Sequence, residues 1–517
     1  MVGPKRIAPI VFLALGAGGT YYGLSFAYPP GLPLPRALAS FLLGAALIGS
    51  VVLRPLGKAP FPSLLGKTPV AALRRFHRGW QALCLGVPLG LVVYATGVTA
   101  LSSWGVDPLS VRSLTLKITE DPRSIKGNRL LVRGRIQALD AQVQGNRIRI
   151  LGDRGTVTAF VGPDRSSGIL GTGRGATVFL EGKTIPPSTS TKGLFSFGNS
   201  WVFNATGSQI LGSPPPLDRL RTLVRNRLLD TLRGQSWGGL SAALLVGYRD
   251  YLDDDIEQGY RKAGCAPVLA LSGMHLAVIT ALLALALKRP LGLKAAAVAG
   301  GVVVFLYAWF VGPQPSLVRS VLMYLLGATA IVVGFPRPTA SILALAFLGQ
   351  MGADPPSALS LSFILSYLAL GGILFFSEGF TDFLRPFFGP ALGPSVSVSL
   401  GAFLATMAVV GSSFGILYPI GLGASLVVVP LAIFMMLGTL LWLPFHFVLP
   451  PLSLPLTGLL NLVYGVNGTV ITLAARFPGV PIPLPMVLIP LTLAISLILV
   501  YGRYGSQTKR NRLEPFN

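Results

Sequence analysis

The sequence predicts a multi-pass α-helical membrane protein with one small β domain inserted. Hydrophobic residues make up 52% of the 517 and charged residues only 12%. Apolar runs recur at the length a helix needs to cross a bilayer, about twenty residues. One stretch, residues 106–212, abandons that texture for short runs of period-two alternation between turn residues.

At the amino terminus, Ile7–Tyr28 is apolar and follows Lys5 and Arg6. Its length, and a second apolar run at Ala37–Leu53, predict a retained helix rather than a cleaved leader. The loop holding Arg54, Lys58, Lys67, Arg74, Arg75 and Arg78 contains no acid, and Trp80–Leu101 is apolar again. Cationic loops stay in the cytoplasm, so three crossings within residues 1–105 deliver the next segment to the outside.

That segment, 106–212, is the extracytoplasmic β domain. Leu130, Val132 and Ile136 alternate with Arg133, Arg135 and Gln137, and Arg147 and Arg149 alternate with Ile148 and Ile150. Val157–Val161, Ala176–Lys183 and Trp201–Thr206 bring the expected strands to about five. Five short strands with glycine-rich turns fit a small barrel, of which the OB-fold is one form, and equally a sandwich. Alternation sends Arg133 with Arg135, and Arg147 with Arg149, to one side of their strands. These four are the candidate nucleic-acid face, because single strands are held by cationic grooves; a plain solvated face has the same pattern. Thr184–Ser200 reads as a loop.

Residues 213–236 read as an amphipathic interfacial helix, with Leu217, Leu220, Val224, Leu228 and Leu232 on one side and Arg219, Arg221, Arg225, Arg227 and Arg233 largely elsewhere. From Trp237 the chain is apolar again, and 237–502 forms the membrane channel domain. Crossings are expected near Val268–Leu287, Ala295–Val311, Leu317–Gly334, Thr339–Gly352, Leu359–Phe376, Val396–Leu417, Ala424–Leu443, Leu456–Ala475 and Met486–Tyr501. Starting outside, they return the basic tail 503–517 to the cytoplasm, together with Lys288, Arg289, Lys294 and Arg337. Ser241–Gly247 is too short to cross.

Chemistry-bearing residues are few. Cys84 and Cys265 give no disulfide framework, and His77, His275 and His446 are too scattered for a metal centre. No metal, cofactor or catalytic residue is expected. Gly66-Lys67-Thr68 lacks the preceding strand and first glycine of a phosphate loop, so uphill transport requires a partner motor or the membrane potential. Ionisable groups inside apolar helices face protein or water, which singles out His275, with Ser272 and Gly273 beside it, and Arg319. Asp250, Asp253, Asp254 and Asp255 either solvate a polar turn or hold a cation.

Several stretches resemble the ComEC competence family, in that family's order. Leu269-Ala-Leu-Ser-Gly-Met-His-Leu276, preceded by Gly247–Gly264, matches its central motif. Gly312–Met323, with Arg319 in place, and Leu361–Tyr367, with Ser362 and Ser366, match two further helices, and Phe414–Pro430 a fourth segment. The resemblance implies a bacterial inner-membrane channel, without chemistry on its substrate, that imports single-stranded DNA during natural transformation. It implies as partners an external DNA receptor, a cytoplasmic helicase and membrane lipid. Pro267, Ile364 and Ser425 stand where the family commonly has His, Gln and Asn. Sixteen residues follow Tyr501, so the metallo-β-lactamase-like nuclease of many members is not expected and a separate nuclease is implied. Two alternatives are a transporter of another polyanion or small solute, and an intramembrane enzyme using His275 with Asp250 or Asp253.

Overall fold

In a computed structural model, residues 9–27, 85–86, 88–93, 106–125, 129–143, 146–152, 155–162, 168–185, 202–270, 273–336 and 338–481 are described. The expected crossings at 37–53 and 486–501, most of that at 80–101, Ser272, Arg337, residues 186–200 of the expected loop and the tail 503–517 lie outside them. The chain forms two compact units, one of residues 1–191, 196–225 and 325–360, the other of 192–195, 226–324 and 361–517.

The first unit begins with α1 (Pro9–Ala27). The β domain follows, with β1 (Val111–Ile118), β2 (Arg123–Ile125), β3 (Arg129–Val143), β4 (Asn146–Leu151), β5 (Thr156–Val161), the short α2 (Ile169–Thr172), β6 (Thr177–Ile185) and β7 (Val202–Gly212). Strand β1 pairs antiparallel with both β3 and β6, β6 with β7, and β3 with β5. A parallel pairing of β5 with β7 completes the circuit, so five strands each have two neighbours. Inward side chains such as Leu114, Leu116, Val132, Ile136, Val178 and Phe203 form the core. Gly182 is required where β6 meets β7: a Cβ there would sit 2.0 Å from the Asn204 carbonyl oxygen.

Strand β1 is absent from the sequence-based set of strands. A register shift between Val111 and Ser113 breaks its alternation, leaving Ser113, Leu114, Thr115 and Leu116 buried in succession.

The chain continues as α3 (Pro216–Arg233), α4 (Gly238–Val246), α5 (Asp254–Lys262), α6 (Gly273–Val311), α7 (Pro315–Val333), α8 (Thr339–Ala353), α9 (Pro355–Ala358), α10 (Leu361–Phe414), α11 (Gly421–Val448) and α12 (Pro450–Ala474). Within the first unit, α1 meets the α8–α9 segment: Tyr21 and Tyr22 donate hydroxyl hydrogen bonds to the carbonyls of Pro355 and Ala358.

Among the described residues, α6, α7, α10, α11 and α12 are long and apolar enough to cross a membrane, and α8 is a shorter apolar helix. Helices α6 and α10 are each broken by a left-handed glycine, Gly292 (φ 79°) and Gly389 (φ 72°). Each therefore supplies two helical arms where the sequence places two crossings. Lys288, Arg289 and Lys294 cluster, exposed, at the first break.

Helix α4 spans about 13 Å at 1.5 Å per residue, less than half a hydrocarbon core of about 30 Å. It ends on Gly247 (φ 68°), where the amides of Gly247 and Tyr248 return to the carbonyls of Ala243 and Ala242, the first of them the bond of an αL-type cap. Almost all of α4 is buried, in the core that also holds Trp237, Met435, Met436 and Trp442.

Candidate functional site around Arg319

Three motif segments of the second unit, those bearing Gly273, Arg319 and Ser366, meet at one side chain. Arg319, in the second turn of α7, is only 7% exposed. Its Nη1 donates to the Ser366 carbonyl oxygen of α10 at 2.6 Å, and its guanidinium carbon lies 5.9 Å from the Tyr367 ring centroid. Gly273 opens α6 directly beside it. A Cβ at Gly273 would lie 3.0 Å from Arg319 Nη2 and 3.0 Å from the Ser320 hydroxyl oxygen, so the missing side chain is what admits the guanidinium. Three sequence segments far apart in the chain thus supply a cation, a carbonyl with an aromatic ring, and a helix start.

The other motif residues distribute around this point. His275 is buried in the first turn of α6, at 1% exposure. Ser366 is half-buried and contributes its backbone carbonyl, whereas Ser362 is exposed. Ile364 is buried.

The acidic turn belongs to the same unit. Asp250 is exposed in the turn before α5. Asp254, Asp255 and Glu257 sit at the amino end of α5, and Arg261 and Lys262 at its carboxyl end, each charge favourably placed on the helix dipole. No group of His, Cys, Asp and Glu able to hold a metal occurs among the described residues. The one buried side chain of α5 is Tyr260, whose hydroxyl accepts a 2.8 Å hydrogen bond from Asn467 of α12. Burial pushes that phenol above its ordinary pKa. Cys265, equally buried, has its thiol pushed up to about 12 by desolvation, which leaves it an inert packing residue.

The four β-domain arginines stand on outward positions of β3 and β4. Arg133 and Arg135 flank buried Gly134, with Arg135 directly across from Lys117 of β1. Arg147 and Arg149 lie on the β4 extension, opposite Gln142 and Asp140. Arg133 pairs with Glu120 at 3.3 Å and Arg149 with Asp140 at 3.7 Å. Both pairs are more than a third exposed on the arginine side, so solvent leaves them weak and their guanidinium groups can exchange partners.

One cluster went unread in the sequence and adds an anchor to the helix within 213–236. Arg221 and Arg225 of α3 are buried, at 1% and 8% exposure. Arg221 grips Asp121 with both nitrogens, at 2.9 and 2.8 Å, Arg225 joins at 2.9 Å, and the Arg174 amide donates to the same carboxylate. Arg174 in turn bonds Asp218 at 2.8 Å. Burial opposes ionisation of Asp121, but the two guanidinium groups outweigh it and hold its pKa below the usual carboxylate value. The first turns of α3 are therefore fixed to the β domain by their polar face. Leu217, Leu220 and Val224, grouped on one side of this helix in the sequence, are 68%, 56% and 50% exposed. The available signal was the i, i+4 spacing of Arg221 and Arg225, which places both on one face.

Comparison with known proteins places these features in context. A family described as "Competence protein" matches residues 244–507, just over half of the chain. ComE operon protein 3 of Bacillus subtilis (strain 168) is 26% identical over 210 residues, covering 39% of this chain. The match spans about a quarter of that relative, 26% of its length. No solved structure matches.

Proposed function

The chain belongs to the Competence protein family, and on that premise we propose that it is a membrane conduit that carries single-stranded DNA inward. The carrying observation is the family match over the apolar helices that converge on Arg319. Phosphates cannot cross hydrocarbon unaided, and a conduit for them needs cations shielded from lipid. Broken helices such as α6 and α10 are tolerated where freed backbone groups face protein or water.

In this reading residues 237–502 form the channel domain and 1–105 the preceding helices. Residues 106–212 are an OB-type barrel outside the inner membrane, supported by the five-strand circuit with its parallel β5–β7 pairing and by α2 between β5 and β6. Arg133, Arg135, Arg147 and Arg149 receive the strand there. The exposed Leu217, Leu220 and Val224 of segment 213–236 meet lipid, and the tail 503–517 is cytoplasmic. An external receptor delivers DNA, a cytoplasmic helicase draws it in, and a separate nuclease removes the other strand. The chain itself performs no covalent step. Ser362 and Asp250, both exposed, act as polar surface on the outer side of the channel domain.

The combined variant R133A/R135A/R147A/R149A of the full chain in nanodiscs is expected to bind a thymidine oligonucleotide about tenfold or more weakly at low salt. Its salt dependence is expected to flatten, because fewer counterions are released. Unchanged affinity and slope would remove the arginine face from the proposal.

A further inference from the structure

We propose that Arg319 and the amino terminus of α6 form an anion site for a phosphodiester group within the membrane unit, an inference that rests on the conduit reading for the choice of anion. The guanidinium is charged at any physiological pH and carries five N–H donors. One is used by the Ser366 carbonyl at 2.6 Å. The Nε hydrogen is buried without an acceptor, and among the described residues no carboxylate pairs with the group. The Tyr367 ring at 5.9 Å covers one side, and the quadrupole of a ring offsets only a fraction of a buried charge. At 7% exposure, this cation is missing a counter-ion rather than resting in solvent.

The second observation is the neighbouring helix start. Gly273 is the first residue of α6, and the point where its side chain would begin is 3.0 Å from Arg319 Nη2 and from the Ser320 hydroxyl. A helix start directs N–H groups outward and carries partial positive charge. Cation and helix start share one side-chain-free position, and the Ser320 hydroxyl beside them donates its proton to the Ser316 carbonyl at 2.9 Å. The guanidinium fork matches two oxygens of one phosphate. A phosphodiester can come from a DNA strand or from a phospholipid headgroup, and both present the same two oxygens.

The test uses the full chain in phosphatidylcholine nanodiscs and a thymidine 20-mer carrying central 4-thiothymidine, irradiated and mapped by peptide mass spectrometry. Cross-links are expected in peptides bearing Arg319 or Tyr367, about tenfold fewer in R319Q and partly retained in R319K. The wild-type chain is expected to lose them equally when the central linkages are uncharged methylphosphonates, a comparison that needs no variant to fold. A parallel arm measures phenylglyoxal modification of Arg319 in phosphatidylglycerol discs against dodecyl maltoside micelles, which carry no phosphate. Shielding by phosphatidylglycerol alone, with no oligonucleotide cross-link anywhere on the chain, supports the site with a headgroup as its occupant and counts against the conduit reading. Cross-links confined to the β domain, with no lipid shielding, overturn the site and leave the DNA reading standing. Cross-links near Arg319 that survive both R319Q and the methylphosphonate linkages also overturn it.

Discussion

Replacing Asp121 by Asn is expected to destabilise the β domain by about 3–5 kcal/mol, the cost of leaving buried cations without their counter-charge. Arg221 and Arg225 both converge on this carboxylate and neither has solvent to fall back on. Asn keeps the shape and one acceptor but not the charge, so the loss isolates the electrostatic part. The readout is hydrogen exchange of α3 amides, which should rise in the first three turns of the helix.

The same group sets an acid limit. Its folded pKa is depressed, so its contribution is complete above the unfolded carboxylate value of about 3.9. It fades as pH falls from there through the folded value. In wild type, α3 protection should hold at pH 5 and above and decline below about pH 4. In D121N that acid step should be missing. Equal protection in D121N and wild type at neutral pH would show that the cluster does not fasten α3.

Replacing Gly238 by Ala is expected to abolish folding of the membrane unit, a loss above about 4 kcal/mol. The added methyl would lie 1.7 Å from the Leu232 carbonyl oxygen, a backbone atom that cannot swing away. Gly239 is under similar constraint, with the Tyr251 carbonyl 2.2 Å from its Cβ position. This crossing point carries Trp237, fully buried and edge-on to Trp442 at 5.1 Å, while Trp442 donates to Thr457 at 2.8 Å and stacks on His446. Displacing the α3–α4 turn therefore disturbs α11 and α12 together. Detergent-solubilised G238A should aggregate or lose its cooperative melt. A melting temperature within a few degrees of wild type would mean the turn has room that the geometry denies.

Local patterns made much of this fold readable. Period-two alternation located β3 to β7, marking a buried face in all but the exposed β4, and it failed at β1 where a register shift puts four residues inside in succession. Apolar length located α6, α7, α10, α11 and α12, and the cations at 288, 289 and 294 marked the bend at Gly292. Pairings between distant residues left no local pattern. Asp121 and its arginine partners are separated by about a hundred residues, as their numbers show, and Tyr260 meets Asn467 from the far end of the domain. Read as a helical wheel, α3 groups its leucines. What the wheel does not show is the buried carboxylate of Asp121, which draws Arg221 and Arg225 of the other side inward.

The candidate site followed the same division. The stretches bearing Gly273, Arg319 and Ser366 stood out singly, by glycine, by charge in an apolar helix and by resemblance. That Gly273 exists to admit Arg319, and that Ser366 serves through its carbonyl rather than its hydroxyl, follows only from helix packing. His275 drew notice as an ionisable group in an apolar helix, and it is indeed buried.

The central claim is inward passage of DNA through this chain, and uptake of labelled DNA by cells with and without the gene tests it most directly. In a strain holding no other Competence-family gene, deletion should leave label outside the inner membrane while cytoplasmic label disappears, with recovery on re-expression. Undiminished cytoplasmic label in the deletion strain would contradict the account.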